Sequence, residues 1–387
     1  MSAEHGDGAA PVLDVQVEDE SSNFGKYRII LRLGRGGMAE VFLALARGPA
    51  GFNKLVVIKR LLPSMIEDAL YRDMFLEEAR LAARLNHPNV VATHEVSEHD
   101  NCFFLAMEYL EGQPLNRLLK VLKKRGELLR PAIAARIAAD TLAGLHYAHE
   151  LRDFDGTQLN LVHRDVTPHN VFITYGGQVK VLDFGIAKAE KSNNKTQAGL
   201  LKGKAGYMAP EQLSGVPIDR RVDVFTTGIV LWELLCGRQL MSDTSTARTL
   251  MKLLHDPIPR VRDVVSDVPE GLDNIVAKAL ARDPDQRYSS AAEMRESLER
   301  FLMQSGESGV GEDLGRLVSE LFAEDRETVQ QQIREQASHA ANHPVSGVEA
   351  IARVYEAESI SSIRTSTSST TGNPLVDPNS PSWHSLS

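Results

Sequence analysis

Two short segments hold the residues best suited to chemistry. The first is His163-Arg164-Asp165-Val166-Thr167-Pro168-His169-Asn170, and the second is Asp183-Phe184-Gly185. Asp165 offers a carboxylate that can accept a proton from a hydroxyl. Asn170, five residues on, offers an amide oxygen for a hard metal ion, and Asp183 offers a second oxygen. Mg2+ fills much of its shell with water and phosphate oxygens, so two protein donors suffice. A proton acceptor beside metal-binding oxygens is apparatus for moving a phosphoryl group. There a protein mainly positions groups and neutralises charge.

Those segments need a scaffold. Short β-rich runs at 27–30, 41–44 and 55–58, separated by glycine clusters, predict an antiparallel sheet. Between the first two lies Gly34-Arg35-Gly36-Gly37-Met38-Ala39-Glu40-Val41. Glycines there let the backbone approach phosphates. A strand on each side excludes a Rossmann unit, which needs a helix next. The third run ends at Lys59. Residues 65–85 switch to helical period, with Met74, Leu81 and Leu85 on one face, and Asn86-His87-Pro88-Asn89 ends that helix. Glu78 falls beside its apolar face, where an unpaired carboxylate is costly, and Glu77 competes for the same role. Strands are expected at 90–95 and 103–107, then a break at Glu111-Gly112, then mostly helix to about 303.

Composition narrows the classes. The net charge of −9 argues against a general nucleic-acid surface. Cys102 and Cys236 are the only cysteines, which gives no disulfide framework or zinc spacing and suits a reducing cytoplasm. The first 25 residues carry six acidic side chains and no Lys or Arg, so they do not read as a secretory signal. They are expected to be disordered. The apolar run at 228–236 is too short to span a membrane. Residues 310–338 read as one further amphipathic helical stretch, with Leu314, Leu317, Val318 and Leu321 apolar. Within 359–387, 14 of 29 residues are Ser or Thr, a composition that cannot bury a core.

In order and spacing these segments resemble eukaryotic-type protein kinases. The G-G-M-A-E-V-F-L-A, H-R-D-V-T-P-x-N and K-G-K-x-G-Y-M-A-P-E runs look like bacterial eukaryotic-like (Hanks-type) serine/threonine kinases of the myxobacterial type. The resemblance covers 27–303. It implies an α+β, two-lobed protein-kinase fold, with a β-rich lobe at 27–109 carrying one regulatory helix and an α-rich lobe at 113–303. It also implies ATP, Mg2+ with Mn2+ as an alternative metal, and protein substrates bearing Ser or Thr.

The family pattern then assigns residues. Asp165 is the catalytic base, and Asn170 and Asp183 are the metal ligands. Lys59 holds the α- and β-phosphates and pairs with Glu78, which sits eight residues before the Asn-His-Pro turn. Leu33, Gly34, Gly36, Gly37, Val41 and Val57 belong to the nucleotide site, with Val41 on the adenine. Met107 guards the back of the pocket, the backbone of Glu108 and Leu110 bonds the base, and Phe172 floors the ring. A bland core role for Phe172 fits equally. His149 and Asp223 are read as structural, as is a Glu211–Arg287 ion pair.

Four positions depart from the pattern. Ala39 replaces the third glycine, and Val57 the usual alanine. Thr167 stands where such kinases carry lysine, while Lys204 stands where they carry threonine. We therefore expect Lys204 to supply the γ-phosphate cation and Thr167 the hydroxyl. The alternative is a pseudokinase scaffold that binds nucleotide and partners, in part through the 310–338 helix. Ser192 and Thr196 are candidate phosphosites, with Arg164 either the cation that would meet their phosphate or, equally, a side chain that bonds the backbone.

Overall fold

A computed structural model describes residues 23–48, 53–184, 205–241 and 245–342, with side chains through 335. Nine strands and twelve helices are described. The strands are β1 (Asn23–Phe24), β2 (Tyr27–Arg35), β3 (Ala39–Arg47), β4 (Asn53–Leu61), β5 (Thr93–His99), β6 (Cys102–Glu108), β7 (Gly112–Pro114), β8 (Val171–Thr174) and β9 (Val179–Val181). The helices of the first half are α1 (Pro63–Ile66), α2 (Ala69–Ala82), α3 (Leu115–Arg125) and α4 (Pro131–His149). After them come α5 (Pro210–Ser214), α6 (Arg221–Cys236), α7 (Thr246–His255), α8 (Val261–Val264), α9 (Glu270–Ala279), α10 (Ala291–Ser305), α11 (Val310–Leu321) and α12 (Ala323–Asn342).

The first six strands form one antiparallel sheet in the order β1-β2-β3-β4-β6-β5. Alternation along β4 divides its side chains between two faces. Val56 and Ile58 are buried against Phe24, Tyr27 and Phe104. Val57 and Lys59 therefore face the other way, toward Met107 and α2. The helix expected over 65–85 is shorter at both ends. Asp68 caps α2 by accepting from the Leu70 N–H. Phe75 and Ala79 bury its inner face. The strand expected at 90–95 starts later, at Thr93, because Val90 and Val91 bond to the β9 end instead (Val91 N–H to Val181 O, 3.0 Å).

The second lobe is helical and is built on α4 and α6. Almost every α6 side chain is buried, and Gly237 stops the helix in the left-handed region at φ 64°. Glu211 and Arg287 form a buried bidentate pair at 2.6 and 2.8 Å. The inserted turn at 153–156 closes through Gly156 N–H to Asp153 O (2.9 Å), flanked by an Arg152–Gln158 bridge. Among the described residues, no helix is long and apolar enough to cross a membrane.

The 310–338 stretch is two helices, not one. The chain leaves helical geometry at Phe322 (φ −123°, ψ 27°) and then restarts as α12. Nor does α11 stand apart. Leu314 and Val318 are fully buried in the same hydrophobic core as α4 and α6. Glycines permit the contact: a Cβ at Gly177 (φ 82°) would collide with the Gly311 carbonyl, and one at Gly315 would lie 2.8 Å from Gly176 C. Arg130 fastens α11 through Asp313 at 2.8 Å. The helical lobe thus runs past 303, and the compact unit of the chain continues to Arg334.

Leu314→Ala should therefore cost about 2–5 kcal/mol in urea unfolding, the range for a large side chain removed from a core. A loss below about 1 kcal/mol would mark α11 as peripheral.

Candidate active site

Lys59 is the meeting point. Its Nζ donates to Glu78 Oε1 and Asp183 Oδ1, each at 2.8 Å. Three elements supply the trio: β4, α2 and the turn after β9. The carboxylate on Lys59 is that of Glu78, not Glu77. Burial alone would lower the Lys59 pKa, but Asp183 and then Glu78 raise it well above the ordinary lysine value. The ammonium is a fixed positive charge.

The loop that carries Asp165 and Asn170 is braced from beneath. Asp223 lies in the first turn of α6 and is fully buried. It accepts from the backbone N–H of His163 and of Arg164, each at 2.8 Å, and its Oδ2 lies 2.7 Å from His149 Nε2. Burial pushes its carboxyl up, but these partners, His149 foremost, hold it below the usual range. Arg164 and Asp183 both sit at positive φ, 63° and 41°, conformations that persist only where surroundings enforce them. The His163 ring packs on Phe184 at 4.6 Å and its Nε2 meets Leu182 O at 2.9 Å, tying the loop to the Asp183 turn.

Within the loop, Asn170 Nδ2 donates to Asp165 O at 2.8 Å and lies 3.3 Å from Asp165 Oδ2. That commits the amide nitrogen and turns Oδ1 into the donor for a cation. Asp183 and Asn170 thus offer oxygen to a hard metal, and the donor set suits Mg2+. Thr167 is buried on this loop. Lys204 lies outside the described residues, as do Gly185, Ser192 and Thr196. Arg164 Nε is buried without a hydrogen-bond partner among the described residues.

A cavity of about 680 Å³ opens from Lys59 and Asp183. Leu33, Val41, Val57, Met107, Glu108, Leu110 and Phe172 all line it. Gly34, Gly36 and Gly37 are not among its walls. They belong to the β2–β3 hairpin, whose turn Gly36 N–H closes onto Ala39 O at 2.7 Å. Space for a Cβ stays open at Gly34 and Gly37. The Glu108 N–H is bonded to Ala92 O, so a base contact there uses its carbonyl. Lys180 Nζ holds the Glu108 carboxylate at 2.6 Å and steadies this hinge.

Other walls were not anticipated. Val91, Tyr109, Arg117, His169 and Tyr175 line the cavity, as do Asp325, Arg326 and Val329 of α12. Tyr109 abuts the hinge residues and was within reach of motif reasoning. The α12 residues carry no motif and lie beyond the family pattern, so no sequence signal pointed to them.

Comparison with known proteins agrees with this geometry. The protein kinase domain family matches residues 27–298. Tyrosine-protein kinase MasK of Myxococcus xanthus is 38% identical over 333 residues, covering 86% of this chain and 52% of that protein. Serine/threonine-protein kinase PrkC of Bacillus subtilis is 34% identical, covering 70% and 39%. PknB of Mycolicibacterium smegmatis, also a serine/threonine-protein kinase, is 36% identical, covering 71% and 43%. The chain thus spans about half or less of the length of these relatives. The crystal structure of the Mycobacterium tuberculosis PknI kinase domain superposes with a TM-score of 0.54 at 27% identity, over 72% of this chain and 96% of that one. A match to 86% of the chain cannot stop where the family's does, at 298, so the likeness to the Myxococcus protein runs on into the C-terminal helices.

Asp223→Asn should lower stability most near neutral pH. A depressed carboxyl pKa stabilises the fold above the unfolded value and loses that effect as pH falls through the folded one. The gap between wild type and variant in urea midpoint should therefore narrow below about pH 4. A gap that stays constant with pH would rule out an ionised Asp223 as the brace.

Proposed function

The chain belongs to the protein kinase domain family, and from that premise we propose that it transfers the γ-phosphoryl group of ATP to serine and threonine hydroxyls of proteins. The observation that carries this reading is the Lys59 trio, with Asp165 and Asn170 hydrogen-bonded to each other on the neighbouring loop. Lys59 is a fixed cation suited to α- and β-phosphates. Asp165 orients the acceptor hydroxyl and takes its proton as the new P–O bond forms. Asn170 Oδ1 and Asp183 would hold Mg2+, which when bound neutralises phosphate charge. Val41, Val57, Met107 and Phe172 shape an apolar slot for the adenine, and the hinge backbone at Glu108 and Leu110 presents polar groups to its edge. The glycine hairpin keeps open backbone for the phosphates.

Lys204 completes the set in this reading by supplying, with Thr167, the cation and hydroxyl exchanged in sequence. Serine/threonine specificity follows Pro168 and the relatives named for it. MasK is named a tyrosine kinase, which makes the acceptor amino acid the point to measure. Arg164, its Nε without a hydrogen-bond partner among the described residues, suits a phosphate on Ser192 or Thr196. Autophosphorylation within 359–387 belongs to the same reading. Free thiols at Cys102 and Cys236 suit a reducing, ATP-rich cytoplasm. A partner protein at the C-terminal extension would meet the outward faces of α11 and α12, since the apolar face of α11 is occupied by its own lobe.

The test is phosphate transfer from labelled ATP with Mg2+, to the protein itself and to a generic basic protein, followed by phosphoamino-acid analysis. Wild type should label Ser and Thr. Asp165→Asn should reduce kcat by at least about 100-fold, the scale of lost general-base catalysis. Label confined to tyrosine would overturn the specificity, and no label despite bound ATP would favour the scaffold. Lys204→Ala should lower kcat by a similar factor, about 100-fold, as removal of one charge-stabilising group does. Full activity in that variant ends the exchange idea.

A further inference from the structure

We infer that α12 is a wall of the nucleotide site, on its nucleoside side, and that its polar face takes part in binding. This rests on the nucleotide-binding reading above. Residues 325, 328, 329 and 332 recur at three- and four-residue spacing, which puts them on one face of a helix. All four line the cavity that also reaches Lys59, Met107 and Leu110. They lie beyond residue 298, where the family's match ends.

The helix is held there by name-able contacts. Asp325 Oδ2 accepts from Arg117 Nη2 at 2.8 Å. Arg117 Nη1 donates to Gln113 Oε1 at 2.7 Å, and Gln113 Nε2 donates to the Tyr175 hydroxyl at 3.0 Å. Arg326 lies 4.8 Å over the Tyr175 ring and 3.7 Å from the Glu111 carboxylate. From the preceding helix, α11, Ser319 Oγ donates to Tyr175 O at 3.1 Å. Glu111 and Gln113 follow the hinge directly, so α12 adjoins the adenine end of the cavity, away from the Lys59 end.

With the helix seated, about 680 Å³ remains. Cofactor-sized sites run from about 300 to 1,000 Å³. The helix therefore walls the site and does not plug it. Two of its buried atoms, Arg326 Nε and Gln332 Oε1, have no hydrogen-bond partner among the described residues. Buried polar atoms are nearly always paired. One is a donor and the other an acceptor, and a nucleoside with its sugar hydroxyls and ring nitrogens offers both complements.

The experiment is calorimetric titration of the full chain with ATP and Mg2+, and separately with adenosine. Gln332→Ala and Val329→Ala should each raise Kd by about 3- to 10-fold, the scale of one lost contact. The factor should be the same for adenosine as for ATP. Glu327→Ala, on the exposed side of α12, should leave both unchanged. Unchanged affinity in both pocket-facing variants overturns the wall. So does tighter binding, the signature of a plug, or a loss seen with ATP but not adenosine. Failure of the wild type to bind ATP would instead overturn the nucleotide reading itself.

Discussion

One ammonium drawn between two carboxylates sets the geometry of this molecule. Lys59, Glu78 and Asp183 come from a strand, a helix and a turn that share no local contacts in sequence. Lys59 and Glu78, both largely buried, would each be costly alone and compensate one another, and half-exposed Asp183 adds a second anion to the lysine. The sheet gives Lys59 its direction, since Val56 and Ile58 occupy the opposite face. The core contacts of Phe75 and Ala79 set the rotation of α2 and so aim Glu78. Asp183 arrives through a residue at positive φ. A shift in any of the three elements breaks the trio, which makes it a gauge of whether both lobes are correctly seated.

Asp223 does for the lower lobe what Lys59 does for the cleft. A charged oxygen pair inside α6 satisfies two backbone N–H groups that a sharp loop would otherwise leave bare. The strained φ of Arg164 is tolerated because both its own N–H and that of His163 are held. The His163–Phe184 contact then passes this rigidity to the Asp183 turn. Asp165, Asn170, Asp183 and Lys59 are therefore fixed by one connected set of contacts.

Much of this was legible in the chain. The strand's place after the glycine loop singled out Lys59, helical period put Glu78 beside the apolar face of its helix, and the family's spacing to the Asn-His-Pro turn chose it over Glu77. The two-lobed fold followed from the order of the motifs. What was not legible depended on tertiary packing. The strand at 90–95 lost its first residues because Val90 and Val91 pair with β9, a partner ninety residues away in sequence. The single helix expected over 310–338 is broken at Phe322, a residue with no helix-stopping chemistry of its own. The pocket role of α12 was invisible because that helix is mostly polar, with Val329 and Ile333 its only large apolar residues, and ion pairs from Asp325 and Arg326 help hold it in place.

The burial of α11 also bears on how the chain comes off the ribosome. Synthesis runs from the N-terminus at about 5–20 residues per second. The helical lobe cannot close its core until Leu314 and Val318 have emerged, since both are fully enclosed by residues made much earlier. Until then the groove beside Gly176 and Gly177 stays open to solvent, an apolar seat awaiting its occupant. A nascent chain stalled, cleaved or trimmed at the family's boundary near residue 298 would present that groove to chaperones and to other nascent copies. In this lobe α11 thus acts as the closing stitch of the core.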